Sequence, residues 1–149
     1  MHAIELLLDD HESVAGLFDE VRASDDSYPF FEKIKAVLKS HKHVEETLFY
    51  PRLMDKGDDE LKTVVSTAIK ENRQVNDYLN ELEQMTGERE RFAPRLKVMM
   101  EDVEQHVVTE EEKLFPLVEE QFDEAELEKL GDEMKAAKAR FDTIHAGNV

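Results

Sequence analysis

The chain has 149 residues, with 36 acidic side chains, 19 basic ones and a formal net charge of −17, a sign that argues against nucleic acid or an anionic membrane as partner. It has no cysteine, which excludes disulfides, thiolate zinc sites, iron–sulfur clusters and cysteine catalysis. With 40% hydrophobic and 37% charged residues but only 5 Gly and 4 Pro, a mostly helical protein with wet outer faces is expected, one domain over residues 1–149. No stretch approaches the roughly 20 apolar residues of a transmembrane helix. The opening Met1-His2-Ala3-Ile4-Glu5 lacks the basic and apolar regions of a signal peptide, so a soluble cytoplasmic protein is expected.

Taken in order, Ile4, Leu7, Leu8, His11, Val14, Phe18 and Val21 recur at spacings of three and four and predict a first helix over residues 3–24. His11 sits in the middle of that apolar stripe. After a turn holding Ser24, Asp25 and Pro29, a second helix is expected over 30–54, with Phe31, Ile34, Val37, Leu38, His41, Val44, Glu45 and Leu48 inward. Pro51 is expected to kink or end it, because proline lacks an N–H and crowds the preceding turn. Asp58 and Asp59 are N-cap candidates for a third helix over 60–85, whose stripe is Leu61, Val65, Ala68, Asn72, Val75, Leu79 and Leu82, with Thr86-Gly87 closing it. A fourth helix over 88–121 turns Phe92, Leu96, Met99, Val103, His106, Glu110, Leu114 and Leu117 inward, and a shorter fifth over 122–146 carries Leu127, Leu130, Met134, Ala137 and Phe141. The fold class is therefore all-α: an up-down antiparallel four-helix bundle over residues 3–121 with an additional C-terminal helix.

One pattern occurs twice. His41 is followed at the fourth and fifth positions by Glu45 and Glu46, then by Leu48-Phe49, and at the tenth by Pro51; His106 is followed in the same way by Glu110, Glu111, Leu114-Phe115 and Pro116. Residues four apart share a helix face, so each His-x3-Glu pair offers a nitrogen and a carboxylate to one point, a donor set suited to a transition metal. Measured from the intervening turns, His11, His41, Asn72 and His106 lie at similar heights on helices expected to run antiparallel. They define one polar layer in an apolar bundle, with Glu45 and Glu110 inside it.

A lone histidine on an apolar stripe is commonly a satisfied core residue. Three at one level, two with a glutamate a turn away, favour a metal, since ionised glutamates are almost never fully buried without a partner. Buried His–Glu hydrogen bonds without metal are the other reading. Glu46, Glu111 and Glu112 lie off the ligand face, as solvated charge or as partners of the ligands; His2, His43 and His145 are read as incidental. Tyr50 and Tyr78 are candidate neighbours only.

These residues carry a family resemblance. The chain resembles the hemerythrin-like (HHE cation-binding) domains: Leu8-Asp9-Asp10-His11-Glu12 and the segments from His41 to Pro51 and from His106 to Pro116 match their three best-marked segments in order. The resemblance implies a four-helix bundle holding a non-haem di-iron centre, with His11, His41 and His106 as terminal ligands and Glu45 and Glu110 as bridges. The chain departs from the pattern on the third helix, where relatives place histidine and this sequence has Asn72 and Asn76, weak ligands or partners of ligands. Three histidines, two bridging carboxylates and an oxygen bridge fill about nine of about twelve positions on two six-coordinate ions, leaving about three open.

A reversible oxygen carrier would need only one open position. The resemblance therefore implies sensing or chemistry of O2, peroxide or nitric oxide, or iron handling, rather than reversible oxygen carriage, with zinc or manganese as other candidate metals. The competing class is a structural or interaction bundle that has lost its metal. Enzymatic activity and oligomeric state are left open.

Overall fold

The structure, a computed structural model, describes residues 1–85 and 87–146, so Thr86 of the expected third-helix stop and the last three residues of the chain lie outside the described residues. Helix α1 (Ala3–Arg22) begins where His2 accepts a hydrogen bond from the Ile4 N–H through Nδ1. A single tight turn, Tyr28–Phe30, leads into α2 (Phe31–Val44). A wide π-helical turn, Glu45–Phe49, joins α2 to α3 (Tyr50–Lys56). Helix α4 (Asp59–Gln84) is capped by Asp58, which accepts from the Leu61 N–H. Helix α5 (Arg89–Val108) passes through a second π-helical turn, Thr109–Leu114, into α6 (Phe115–Gln121), and α7 (Glu124–Ala146) follows.

Four rods result: α1, α2 with α3, α4, and α5 with α6; α7 lies against α1 and α2 as the additional helix. The expected all-α bundle with a fifth helix is what the chain forms, and no strand occurs among the described residues. Of the two outcomes expected at Pro51, a kink or an end, the rod does not end there: a π-helical turn precedes the proline and the helix continues to Lys56. A proline has no N–H to donate and crowds the carbonyl four residues back. Both Pro51 and Pro116 follow a turn in which bonding has switched to a longer step: the Tyr50 N–H bonds the Glu45 carbonyl, and the Phe115 N–H bonds the Glu110 carbonyl. The chain stays helical because the four-residue bonds that proline would break are not being made there.

The core divides at the predicted polar layer. One apolar cluster gathers Leu7, Val44, Phe49, Leu53, Val65, Leu114 and Phe115 with the inner face of α7. The other gathers Val14, Phe18, Ile34, Leu79, Phe92 and Met99 toward the opposite end. Between them the rods turn His11, His41, Asn72 and His106 inward.

A buried histidine–carboxylate layer as candidate metal centre

The wide turns start at the glutamates. Each π-helical turn inserts an extra residue just after a His-x3-Glu pair, so Glu45 and Glu110 stay on the inner face with their histidines. Glu45 and Glu110 are both 0% exposed, and His11, His41 and His106 are also buried. One donor atom from each of His41, Glu45, His106 and Glu110 lies within 4.8 Å of all the others, an arrangement that can hold a metal ion. His11 Nε2 is 3.0 Å from Glu110 Oε1, which brings the first rod into the same cluster.

The ring orientations share one scheme. His41 Nδ1 lies 2.9 Å from Asp10 Oδ2, His106 Nδ1 3.0 Å from Glu71 Oε1, and His11 Nδ1 2.6 Å from Glu111 Oε2. An ionised carboxylate only accepts, so each Nδ1 carries the proton, while Nε2 of His41 and of His106 faces both central glutamates and Nε2 of His11 faces Glu110. Thr109 donates to the other oxygen of Glu71. Sequence reasoning missed Asp10 and Glu71, and left Glu111 between a solvated charge and a ligand's partner; it orients His11. A signal was present: Asp10, Glu71 and Glu111 are the chain neighbours of His11, Asn72 and Glu110, and each serves a histidine of a different rod.

Asn72 is buried and donates to Glu45 Oε1 on the second rod at 3.1 Å. Asn76, one turn on, is half-buried and makes no hydrogen bond to these groups among the described residues. Tyr50, set aside in the sequence, is 1% exposed and donates its phenol proton to Glu110 Oε2 at 2.7 Å. The wide turn places it there, immediately after Phe49. Glu46 and Glu112 are exposed, and His43 stacks on Phe141 with centroids 4.7 Å apart, away from the layer.

The electrostatics are those of two buried anions among imidazoles. Burial opposes charge on His106, but the Glu110 charge, the nearby Glu45 carboxylate and the hydrogen bond to Glu71 raise it to about 10. Burial likewise opposes charge on His41, and the Glu45 charge, the bond to Asp10 and the nearby Glu110 carboxylate outweigh it, holding it well above the usual histidine range. Burial alone would push Glu45 up; the His41 charge and its hydrogen-bonded neighbours hold it well below the ordinary carboxylate range. Burial and the Glu110 and Glu45 charges keep Tyr50 a neutral phenol.

Residues 2–118 match the family described as Hemerythrin HHE cation binding domain. The chain belongs to the hemerythrin HHE cation-binding family. A solved hemerythrin HHE cation binding domain-containing protein from Mycobacterium kansasii is 25% identical, with a TM-score of 0.80 over 96% of this chain and 88% of that one. A protein of Nostoc sp. named DNA nickase is 25% identical over 145 residues, which are 95% of this chain but 40% of that protein's length. This chain therefore spans less than half of that relative.

The residues present fit the cation that an HHE domain binds. His41 Nε2 approaches Glu45 Oε1 to 3.1 Å without hydrogen-bond alignment, and both His41 Nε2 and Glu45 Oε2 are buried with no hydrogen-bond partner. Unsatisfied buried polar atoms cost about 1–3 kcal/mol each. Two of them facing the same cluster are explained by a cation that both would ligate. No helix among the described residues is long and apolar enough to cross a membrane.

Proposed function

We propose that this HHE domain holds a non-haem di-iron centre, with His11, His41 and His106 as nitrogen donors and Glu45 and Glu110 as the carboxylates shared between the ions. The observation that carries the reading is the pair of fully buried glutamates in the midst of three imidazoles whose Nε2 atoms all face them. Two carboxylates, each within reach of histidines from more than one rod, suit two ions better than one. Zinc or manganese would meet the same donors.

When bound, iron would supply redox chemistry toward O2, peroxide or nitric oxide. The protein's own part is to orient and to exclude water. Asp10, Glu71 and Glu111 aim the imidazoles, Asn72 steadies Glu45, and Tyr50 stands beside Glu110 with a proton to give or an oxygen to offer. A pocket of about 320 Å3 lined by Glu46, Tyr50, Pro51, Met54, Ile69 and Arg73 lies beside Tyr50, and we take it as the side from which a small molecule would approach. With Asn72 and Asn76 on the third helix, where the family resemblance places histidine, fewer nitrogens surround the ions, which favours sensing, peroxide or nitric oxide chemistry, or iron handling over reversible oxygen carriage. The net charge of −17 would repel a polyphosphate, so we expect no DNA partner despite the name of the Nostoc relative.

The test is anaerobic loading with Fe(II), oxidation, and determination of iron per chain together with near-ultraviolet charge-transfer absorption. Close to two irons per chain supports the reading. A ratio near zero refutes it in favour of a metal-free structural bundle, and a ratio near one refutes the di-iron assignment alone.

A further inference from the structure

All three imidazoles of the layer have a carboxylate on Nδ1, but among the described residues only one of those carboxylates is paired with a side-chain ammonium. Asp10 accepts from His41 through Oδ2 and lies 3.0 Å from Lys138 Nζ through Oδ1. Among the described residues, Glu71 and Glu111 have no Lys or Arg within ion-pair distance. Lys138 belongs to α7, the helix outside the four-rod bundle, and also donates to Ser40 Oγ at 3.0 Å, the residue before His41. Asp10 and Ser40 are buried, and the Lys138 side chain is 23% exposed. The three line one wall of a groove of about 870 Å3 between α1, α2 and α7, so the outer end of this chain of contacts meets solvent.

A carboxylate on Nδ1 draws the ring proton toward itself and leaves Nε2 a stronger donor to a metal. An ammonium on the far oxygen of that carboxylate pulls charge back, and at this depth solvent screens the effect poorly. His41 is thereby set apart from His11 and His106. We propose that Lys138 is a positioning residue that acts through Asp10, fixing the orientation of His41 and weakening its donation to a bound metal ion. The ion beside His41 would then be the more easily reduced of the two. This inference rests on the metal reading above, and it gives α7 a part in the site.

Two readouts test it, on wild type, Lys138→Met, Lys138→Arg, Asp10→Asn and the double variant Asp10→Asn/Lys138→Met. The first is the reduction potential of the iron-loaded protein. Lys138→Met is expected to shift it downward, Lys138→Arg to keep it near wild type, and Asp10→Asn to shift it upward. In the Asp10→Asn background, adding Lys138→Met should have little further effect. A Lys138→Met shift that persists undiminished in that background is a charge acting through space and overturns the proposal. The second readout is the His41 Nδ1 proton resonance of the metal-free chain, which should move downfield in Lys138→Met as the bond to Asp10 strengthens. An unmoved resonance also overturns the proposal. A preparation that takes up no iron refutes the metal reading alone, and the proton resonance then decides the role of Lys138.

Discussion

Tyr50 and Glu110 lie on different rods yet meet at 2.7 Å, with the phenol donating to a carboxylate that is wholly sealed from solvent. Replacing Tyr50 by Phe keeps the ring and removes that donor. In the metal-free protein the loss leaves Glu110 Oε2 short of a partner, at a cost of about 1–3 kcal/mol. For a chain of this size each kcal/mol lowers Tm by about 2–4 °C. In the loaded protein a metal ion would take the place of the missing proton donor, so the loss should be smaller. Thermal melts with and without metal check this; equal losses in both forms would mean that Glu110 does not face a metal.

The central carboxylates and the terminal histidines should behave differently. Glu45→Ala and Glu110→Ala are expected to lose both ions, whereas His11→Ala retains one. Glu71→Gln and Glu111→Gln, which meet the layer only through the far side of an imidazole, are expected to weaken metal binding by about 10–100-fold. His43→Ala is the control: its ring packs on Phe141 rather than on the layer, and its metal content should equal that of wild type. Metal counts after identical loading decide the matter. Identical losses for His11→Ala and the two glutamate variants would contradict shared carboxylates.

At Asn72 the expected gain is a ligand. The amide lies 3.1 Å from Glu45 Oε1, so an imidazole at that position reaches the same cluster. Asn72→His should bind metal more tightly and slow any reaction that needs an open coordination position. Competition with a chelator of known affinity measures the first effect, and an unchanged affinity would remove Asn72 from the immediate surroundings of the metal.

Protons and metal compete for His41 and His106. His106 is raised to about 10 and His41 stands well above its ordinary value, burial being outweighed in each case by glutamate charge. A raised folded pKa gives stability that is fully present below the unfolded value of about 6.5. That stability is lost as pH rises through the folded value. The metal-free chain should therefore lose Tm between pH 7 and 10, while the loaded chain, whose imidazoles are held by metal instead of protons, loses less. Metal uptake should release protons and weaken as pH falls. Melts across this range and calorimetry in buffers of different ionisation heat test both; uptake without proton release would sink the argument.

Gly131 lies where α7 meets the start of the chain. A Cβ there would collide with the Met1 carbonyl and stand 2.6 Å from the Ala3 backbone nitrogen. Alanine favours a helix over glycine by about 1 kcal/mol, yet Gly131→Ala is expected to lower Tm because the first residues must move off α7. A raised Tm would show that this contact contributes little.

The sequence by itself determined the helices, their inward faces and the six residues of the polar layer, because a period of 3.6 residues fixes which side chains share a face and short connections fix antiparallel neighbours. It also determined that His41 pairs with Glu45 and His106 with Glu110, a relation within one helix turn. The tertiary structure alone decided which carboxylate aims which imidazole. Asp10, Glu71 and Glu111 each stand beside an inward residue in the chain and point one position round the helix, where periodicity reads only a boundary between core and solvent. Their partners lie on other rods, and no local rule relates Asp10 to His41 across 31 positions. The wide turns belong to the same class: the prolines signalled a break, and packing of the glutamates and Tyr50 into the layer turned that break into an extra residue within a continuous helix. Lys138 was legible only as a charge on the fifth helix until α7 settled against α1 and α2 and brought its ammonium to Asp10.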